Sequence, residues 1–355
     1  MGEVRPLVAL MILNFNGLRW LKMCLPSVVK STYSNLEVYV IDNGSTDGSS
    51  EHVKSNYRDI KLVRFTENLG FAEAYNRAIK HVQADYVLLL NNDTFVLRPT
   101  WIDALVSRAE CAYIGAVGCK LVTMEDHQRL DSVGGMGIKF WRGFVDIGKY
   151  ETDQGQYDRP PNIPFSACGA AMLIRRAVFE RVGGFDSKFH AYLEDVDLCW
   201  RLRLLGYEIA YEPRARVAHY FSGTTGLKQV DPRKLYLSHR NLLRAILKNC
   251  GSSLWWALRN YFLFSFLLAA GFSVLEPKKT VEIMKAVLWN LSNFRDTYAR
   301  RISLQPSVRQ SETDVIKRMY PGFERYQPVE HSRLRRILDI LFEYSQSAEQ
   351  HVESV

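Results

Sequence analysis

The sequence predicts an α/β fold with a mostly parallel central sheet, followed by a helical C-terminal extension. Apolar runs of strand length alternate with segments of helical period through the first half. Polar clusters stand where those strands end, at Asn14–Gly17, Asp42–Ser50, Asn68–Gly70 and Asn91–Asp93. Beyond about Gly226 the alternation gives way to long helical patterns.

Leu7–Asn14 is a near-continuous apolar run, as a strand buried on both faces requires. With no basic lead-in and no small-residue cleavage site, it reads as a first strand and not as a targeting segment. Leu18–Lys30 carries Leu18, Leu21, Leu25, Val28 and Val29 close to helical spacing. Leu36–Ile41 is a second strand ending at Asp42, and Ile60–Phe65 a third. Phe71–Val82 is a helix, and Asp85–Leu90 a fourth strand ending in Asn91-Asn92-Asp93. The stretch from about Thr123 to Pro164, rich in Gly, Pro, Asp and Tyr, predicts loops and short strands on the sheet surface. Ala167–Ile174 predicts a strand, Ala177–Val182 a short helix, and Glu194–Leu205 an amphipathic helix stopped by Gly206. Tyr207–Tyr211 and Arg216–His219 predict two more strands.

The remaining elements are helical: Pro232–Lys248, Trp255–Leu275 and Thr280–Arg301. Tyr261–Leu275 holds 15 residues without a charge, short of the roughly 20 that a spanning helix needs. Arg244, Lys248, Arg259, Lys278, Lys279 and Lys285 surround it. An apolar face with basic flanks suits a helix lying on a membrane surface; a buried helix and a true span are the alternatives. An amphipathic stretch near Leu334–Phe342 receives no role.

The chain has 355 residues, 47% hydrophobic and 24% charged, so it is a folded protein and not a disordered one. Its formal charge of +8 admits nucleic acid, anionic lipid or an anionic ligand as partner. The basic residues gather around the apolar helices and not in an aromatic-rich groove, which argues against nucleic acid. Cys24, Cys111, Cys119, Cys168, Cys199 and Cys250 form no CxxC pair and share no zinc-ligand spacing with histidines. They predict small buried hydrophobes in a reducing compartment.

In open α/β sheets, ligands bind outside the carboxyl ends of the strands, so the four polar clusters should converge on one crevice, with Asn14 closing the first strand there. Asp42, leading into a Gly/Ser/Asp turn, could accept the ring N–H of a nucleobase; the turn residues themselves read as ordinary helix caps. Asn68 and Gly70 form a turn before a helix whose start suits a diphosphate, with Asn76 two turns along. Asn91, Asn92 and Asp93 deliver two amides and a carboxylate, and a metal–diphosphate needs only one or two protein oxygens. Glu194, Asp195 and Asp197 crowd one helix start. Their mutual repulsion raises at least one pKa, as for a general base, and Arg201 lies within reach to pair with one of them. His219 ends a strand ahead of the Ser222–Gly226 loop and could complete a metal site.

The ordered series ILNFNG, VIDNGSTDGS, NLGFAEAYN, LLLNNDT, FSACGAAMLIRR, GGFDSKFHAYLEDVDLCWRLRLLGY and AHYFSG closely resembles family 2 of the glycosyltransferases, nearest to its rhamnosyl- and galactofuranosyl-type branch. The resemblance covers roughly residues 6–226. It implies a GT-A fold (a Rossmann-like nucleotide-diphospho-sugar transferase domain), placed over 1–226; the helical region 227–355 is expected at the membrane interface from its own apolar and basic pattern. It implies a metal-bound nucleotide sugar and inversion by single displacement. Carried over, Asp42 would hold the base. Asn91 and Asp93 would occupy the outer positions of an Asp-x-Asp metal motif. Asp195 would be the catalytic base beside Glu194, and His219 would complete the metal shell. Asn91 stands where the family has its first Asp, so metal affinity without nucleotide should be low and Mn²⁺ becomes plausible beside Mg²⁺.

The expected donor is a dTDP- or UDP-linked sugar, the acceptor a lipid-linked or polysaccharide glycan, and the location the cytoplasmic face of the cell membrane. Asn14, Asn68, Asn76 and Asn92 are expected on the donor side with Asp42 and Asn91. Homo-oligomerisation is left open. Rival readings are a sugar nucleotidylyltransferase, which would carry a Gly-rich, Arg-containing loop where Asn14–Leu18 stands, and a non-catalytic membrane scaffold, against which Asp93, Asp195 and His219 argue. A dehydrogenase would need a GxGxxG after the first strand.

Overall fold

The computed structural model describes residues 5–138, 143–159, 164–220 and 231–319. The Ser222–Gly226 loop, the expected domain boundary at 226/227 and the Leu334–Phe342 stretch lie outside the described residues.

Chain order runs β1 (Val8–Asn14), α1 (Leu18–Val28), β2 (Leu36–Asn43), α2 (Ser49–Asn56), β3 (Lys61–Phe65), α3 (Gly70–Ile79), β4 (Tyr86–Asn91) and β5 (Thr94–Val96). Then come α4 (Trp101–Ala109), β6 (Ile114–Thr123), β7 (Leu130–Ser132), β8 (Gly135–Ile138), β9 (Gly143–Asp146), β10 (Ala171–Arg175), α5 (Arg176–Arg181), α6 (Glu194–Leu204) and β11 (Glu208–His219). Five helices follow: α7 (Pro232–Asn249), α8 (Leu254–Leu275), α9 (Pro277–Ser292), α10 (Phe294–Leu304) and α11 (Glu312–Met319).

One sheet has the order β3-β2-β1-β4-β10-β6-β11-β5, with β7 on β6; β8 and β9 pair separately. β3, β2, β1 and β4 run parallel, as do β6 and β11, while β10 is antiparallel to both its neighbours. The period of two along β1 divides its side chains between two cores. Val8, Leu10 and Ile12 face α1 and α4 through Leu21, Leu25, Trp101 and Leu105. Ala9 and Met11 face α3, α5 and α6 through Tyr75, Phe179 and Leu198. A third core joins α6 to α7, α8 and α11 around Trp200, Ile246, Tyr261 and Val315.

Two expectations change in detail. Tyr207–Tyr211 and Arg216–His219 belong to one strand, β11, whose register shifts between Glu212 and Arg216. Pro213 lies in that shift and has no N–H for the ladder. The helix expected over Thr280–Arg301 is two helices that meet at Asn293. Cys24, Cys119, Cys199 and Cys250 are buried free thiols, as expected; Cys111 is exposed.

Buried ions tie α7 to the sheet region. Arg244 Nε lies 2.8 Å from Asp186, and Lys248 Nζ is 2.8 Å from Asp186 and from Asp197. Of the basic residues expected to flank a membrane face, Arg244 and Lys248 are therefore interior; Lys279, 7% exposed, pairs with Glu276. A helix that packs its long basic side chains against buried carboxylates cannot also offer them to a surface.

Candidate active site

Parallel pairing sets the ends of the strands side by side, with Asn14 opposite Asp42 and Leu13 opposite Asn91. Asn92 Nδ2 donates to Asn14 Oδ1 at 2.7 Å, and Asn14 Nδ2 to Ser45 Oγ at 3.2 Å. Gly17 is required for this approach, since a Cβ there would lie 2.1 Å from Asn92 Nδ2. The asparagines thus lace β1, the β2 turn and β4 into one rim.

Asp42 is fully buried. Its oxygens accept from Ser45 N at 2.9 Å and from Ser50 Oγ, with Arg64 Nε at 3.5 Å. The carboxylate expected to face a nucleobase therefore holds the Ser45–Ser50 turn, the structural role the sequence assigned to its neighbours. Asn16 and Thr46 stand exposed above it, and Asn16 Oδ1 accepts from Thr46 N at 2.8 Å. Asn68 Oδ1 accepts from Gly70 N at 2.9 Å and from Asn43 Nδ2 at 3.0 Å, closing the turn before α3. Asn76, expected on the donor side, turns its amide to the Phe185 backbone. Its Oδ1 accepts from Phe185 N at 2.9 Å and its Nδ2 donates to Phe185 O at 2.8 Å. Both ends of the amide are used by one backbone residue, so Asn76 anchors the Gly184–Phe185 segment to α3.

β5 pairs antiparallel with β11, opposing His219 to Thr94, and Tyr220 N donates to Asp93 O at 2.9 Å. This pairing brings His219 Nε2 to 3.5 Å from Asp93 Oδ1. The other ring nitrogen, Nδ1, is 2.7 Å from Asp131 Oδ2 on β7. Burial would lower the His219 pKa, but the Asp131 and Asp93 carboxylates outweigh it and raise the value to about 10. Asp131 is buried and also contacts Lys149 Nζ at 3.1 Å. No local pattern marks Asp131, because Leu130-Asp131-Ser132 sits in a loop-rich stretch far from His219 in the chain.

The donor set suits a divalent ion. Binding a metal would require His219 to give up its Nε2 proton; with Nδ1 held by a carboxylate, Nε2 would then be the coordinating nitrogen beside an Asp oxygen, as in carboxylate–histidine–metal arrangements. Among the described residues, no group of three or more His, Cys, Asp and Glu side chains forms a metal cage. Two protein donors leave room for phosphate oxygens.

The acids at the start of α6 have separated roles. Asp197 is fully buried between Arg201 Nε at 2.9 Å, Lys248 and Asn249 Nδ2, and these cations hold its carboxyl below the usual range despite burial. Arg201 thus pairs with Asp197. Asp195 Oδ2 accepts from Gly169 N at 2.8 Å and Oδ1 from Val196 N at 2.7 Å. Ala170, next to Gly169, accepts from Asn91 N at 2.9 Å. The Cys168–Ala170 stretch therefore joins Asp195 to the end of β4. Burial pushes Asp195 up to about 6, with Asp146 adding to the rise and the two backbone N–H groups opposing it. Burial and then the Asp195 charge push Glu194 up to about 8, and its Oε2 is buried without a hydrogen-bond partner. Near neutral pH the negative charge therefore resides on Asp195.

A parallel sheet continued by antiparallel strands, with an acid pair opening a helix beside the β4 end, is the GT-A architecture. Known structures share the fold. The protein superposes on GalNAc-T7 in complex with UDP, GalNAc and Mn²⁺ with a TM-score of 0.58 at 15% identity, covering 82% of this chain and 58% of that one. It superposes on the mannosyltransferase PcManGT from Pyrobaculum calidifontis in complex with GDP-Man and Mn²⁺ with a TM-score of 0.51 at 19% identity, covering 85% and 86%.

Residues 10–183 match the model of glycosyl transferase family 2. The N-acetylglucosaminyl-diphospho-decaprenol L-rhamnosyltransferase of Mycobacterium tuberculosis is 30% identical over 287 residues, 73% of this chain and 90% of that protein. The O-antigen biosynthesis protein RfbC of Myxococcus xanthus is 32% identical over 219 residues, 60% of this chain but only 17% of that much longer protein. The chain belongs to glycosyltransferase family 2, in the rhamnosyltransferase-like branch, and its chemistry is glycosyl transfer.

Proposed function

We propose that this glycosyltransferase moves a sugar from a nucleoside diphosphate donor to a hydroxyl of a lipid-linked or polysaccharide glycan, with inversion, at the cytoplasmic face of the cell membrane. The observation that carries the reading is the Asp195 carboxylate, raised to about 6 and gripped by Gly169 N–H beside the end of β4.

Asp93 and His219 would hold a divalent ion, Mn²⁺ or Mg²⁺, with Asp131 fixing the imidazole tautomer. When bound, that ion neutralises charge developing on the leaving diphosphate. Asp195 accepts the proton of the acceptor hydroxyl as the oxygen attacks the anomeric carbon. Glu194, protonated at neutral pH, lets Asp195 carry the charge alone. The rim of Asn14, Asn91 and Asn92 lines the donor side, and the Asn68 turn supports the start of α3. Asp42 shapes the turn beneath the base of a dTDP- or UDP-linked donor. The acceptor class rests on the rhamnosyltransferase relative, whose name specifies a diphospho-decaprenol acceptor. Of the expected division into a 1–226 catalytic and a 227–355 membrane-facing region, the outward apolar face supports the second part from α8 onward. The test is a donor screen: dTDP-, UDP- and GDP-sugars incubated with Mn²⁺ and membrane extract, reading diphosphate release and labelled glycolipid. Release with none of the donors overturns the reading.

A further inference from the structure

The four residues before Glu194 are bent against their own sterics. His190, Tyr192 and Leu193 have φ of 60°, 69° and 64°, a region that residues with a Cβ rarely adopt. Leu193 is the N-cap of α6, and its carbonyl accepts from Asp197 N at 2.9 Å. Any relaxation of this loop would therefore turn the start of α6, and with it Asp195.

Two elements hold the bend. On one side, His190 O accepts from Phe71 N at 2.7 Å, and the His190 ring fills the space a Cβ on Gly70 would need. On the other side stands α7. Asn241 Nδ2 faces three loop carbonyls, Phe189 O at 3.0 Å, Ala191 O at 2.8 Å and Tyr192 O at 2.7 Å. Arg240 orients that amide by donating from Nε to Asn241 Oδ1 at 2.9 Å, and donates to Lys188 O and Phe189 O at 2.9 and 2.8 Å. Asn241 is fully buried. Both donate to the carbonyls of the Lys188–Tyr192 segment, and Arg240 also lies over the Trp289 ring at 4.5 Å.

We propose that Asn241 is a positioning residue for the transfer reaction: from α7 it holds the His190–Leu193 loop in its strained form, so that Asp195 meets the acceptor hydroxyl. The helices after the sheet then form part of the catalytic apparatus and do more than attach it to a surface. This inference rests on the assignment of Asp195 as the base.

The experiment measures kcat, acceptor KM and donor affinity for the full chain carrying Asn241→Ala, Asn241→Gln, Asn241→Ala with Tyr192→Gly, and Asp195→Asn. A displacement of about 1 Å at a reacting group costs on the order of 10²-fold in rate. Asn241→Ala should lose about that much kcat, with donor affinity by calorimetry within twofold. Asn241→Gln, which keeps the amide one methylene away, should fall between it and wild type. Tyr192→Gly makes the bend permissible without the clamp, so the double variant should recover kcat several-fold over Asn241→Ala. The acid limb of its pH profile should return as well. In wild type that limb lies near 6 because burial and then Asp146 raise Asp195 against its backbone N–H bonds, and a loosened α6 start would let it drift toward ordinary carboxylate values. A wild-type kcat in Asn241→Ala, or no recovery in the double variant, overturns the clamp. If Asn241→Ala does not fold, wild-type kcat in Asn241→Gln overturns it equally. Full activity in Asp195→Asn would instead remove the base assignment on which the clamp depends.

Discussion

The sheet region and the helices after it obey opposite rules of inside and outside. In β1, β4 and β6 the apolar side chains are interior, and the polar residues collect at the rim. In α8 and α9 the order is inverted. α8 exposes Trp255 (81%) and Phe266 (69%) while burying Asn260 and Ser265. α9 exposes Met284, Leu288 and Leu291 while burying Lys279 and Asn290, and α10 adds Phe294, Tyr298 and Ile302 to the apolar surface. α7, beneath them, buries Arg240, Arg244 and Lys248. The first region is solved for water outside. The second keeps its charges in a shared interior with the sheet and offers apolar surface outward, which a monomer in water rarely does on this scale. No helix among the described residues is long and apolar enough to cross a membrane.

The contrast yields a sharp division between variants that stop chemistry and variants that loosen the molecule. The largest effect belongs at the rim. Asp93→Ala should reduce transfer by several orders of magnitude, because an ion at a leaving diphosphate contributes several kcal/mol. Chelator should do the same, and Mn²⁺ or Mg²⁺ should restore the wild type. Thermal stability should barely change, since Asp93 is partly exposed beside His219. Full transfer in chelator would break the assignment.

Next is Asp195→Asn, with a loss of about 10² to 10⁴ in rate, the usual contribution of a general base, and donor affinity intact. In wild type, kcat should rise with pH through about 6 as Asp195 loses its proton. Asp195→Asn should lose that limb. If Glu194→Gln is dead while Asp195→Asn works, the two acids have been assigned the wrong way round.

Asp186→Asn probes the other region. It removes the carboxylate shared by Arg244 and Lys248, which keep Asp296 and Asp197 as partners, so the loss should be smaller than the about 3–5 kcal/mol of a buried pair broken outright. Urea unfolding should show the drop with donor binding retained in the folded fraction. Arg244, Lys248 and Arg300 hold Asp186 well below the usual carboxylate range against its burial. Its stabilisation is therefore complete above the ordinary carboxylate value near ~4, and declines only as pH falls below that toward the depressed folded value. A wild-type melting temperature that already falls between pH 7 and 5 because of this group would contradict the geometry.

What the sequence disclosed follows the same boundary. β1 and β4 were legible because burial on both faces leaves an unbroken apolar run, and each rim residue because strand ends are where polar clusters must gather. β6 was not legible: Gly115 and Gly118 interrupt its apolar pattern. Asp131 was hidden because its partner His219 lies across the β6–β11 pairing, which no local pattern encodes. Asp42 and Asn76 were recognised as polar residues near the crevice, but type and spacing could not tell a ligand contact from a hydrogen bond to Ser50 or Phe185. In α8 the apolar run was visible in the sequence. The side it would turn outward was not, since that depends on α7 filling the interior with charge.

The smallest effect, and the one that tests the comparison itself, concerns that outward face. Beside the exposed apolar residues stand the exposed Arg259, Lys278, Lys285 and Arg295, a composition that suits anionic lipid. Each basic residue near such a surface adds about 1 kcal/mol, a term that salt screens, while apolar insertion is unscreened. The protein should sediment with anionic vesicles, less at high salt but not freed by it. Burying a large apolar side chain is worth about 1.5–3 kcal/mol, and partial insertion rather less. Trp255→Ser with Phe266→Ser should therefore weaken vesicle partitioning by roughly tenfold, since 1.4 kcal/mol is a factor of ten. The same pair should leave the melting temperature unchanged or higher, because neither side chain is buried in the free protein. A marked fall in stability would mean that these residues pack against the protein itself, and an accompanying change in oligomeric state would identify a second copy as the partner. Unaltered partitioning would mean that lipid meets some other face, and the inversion between the two regions would need a different partner to explain it.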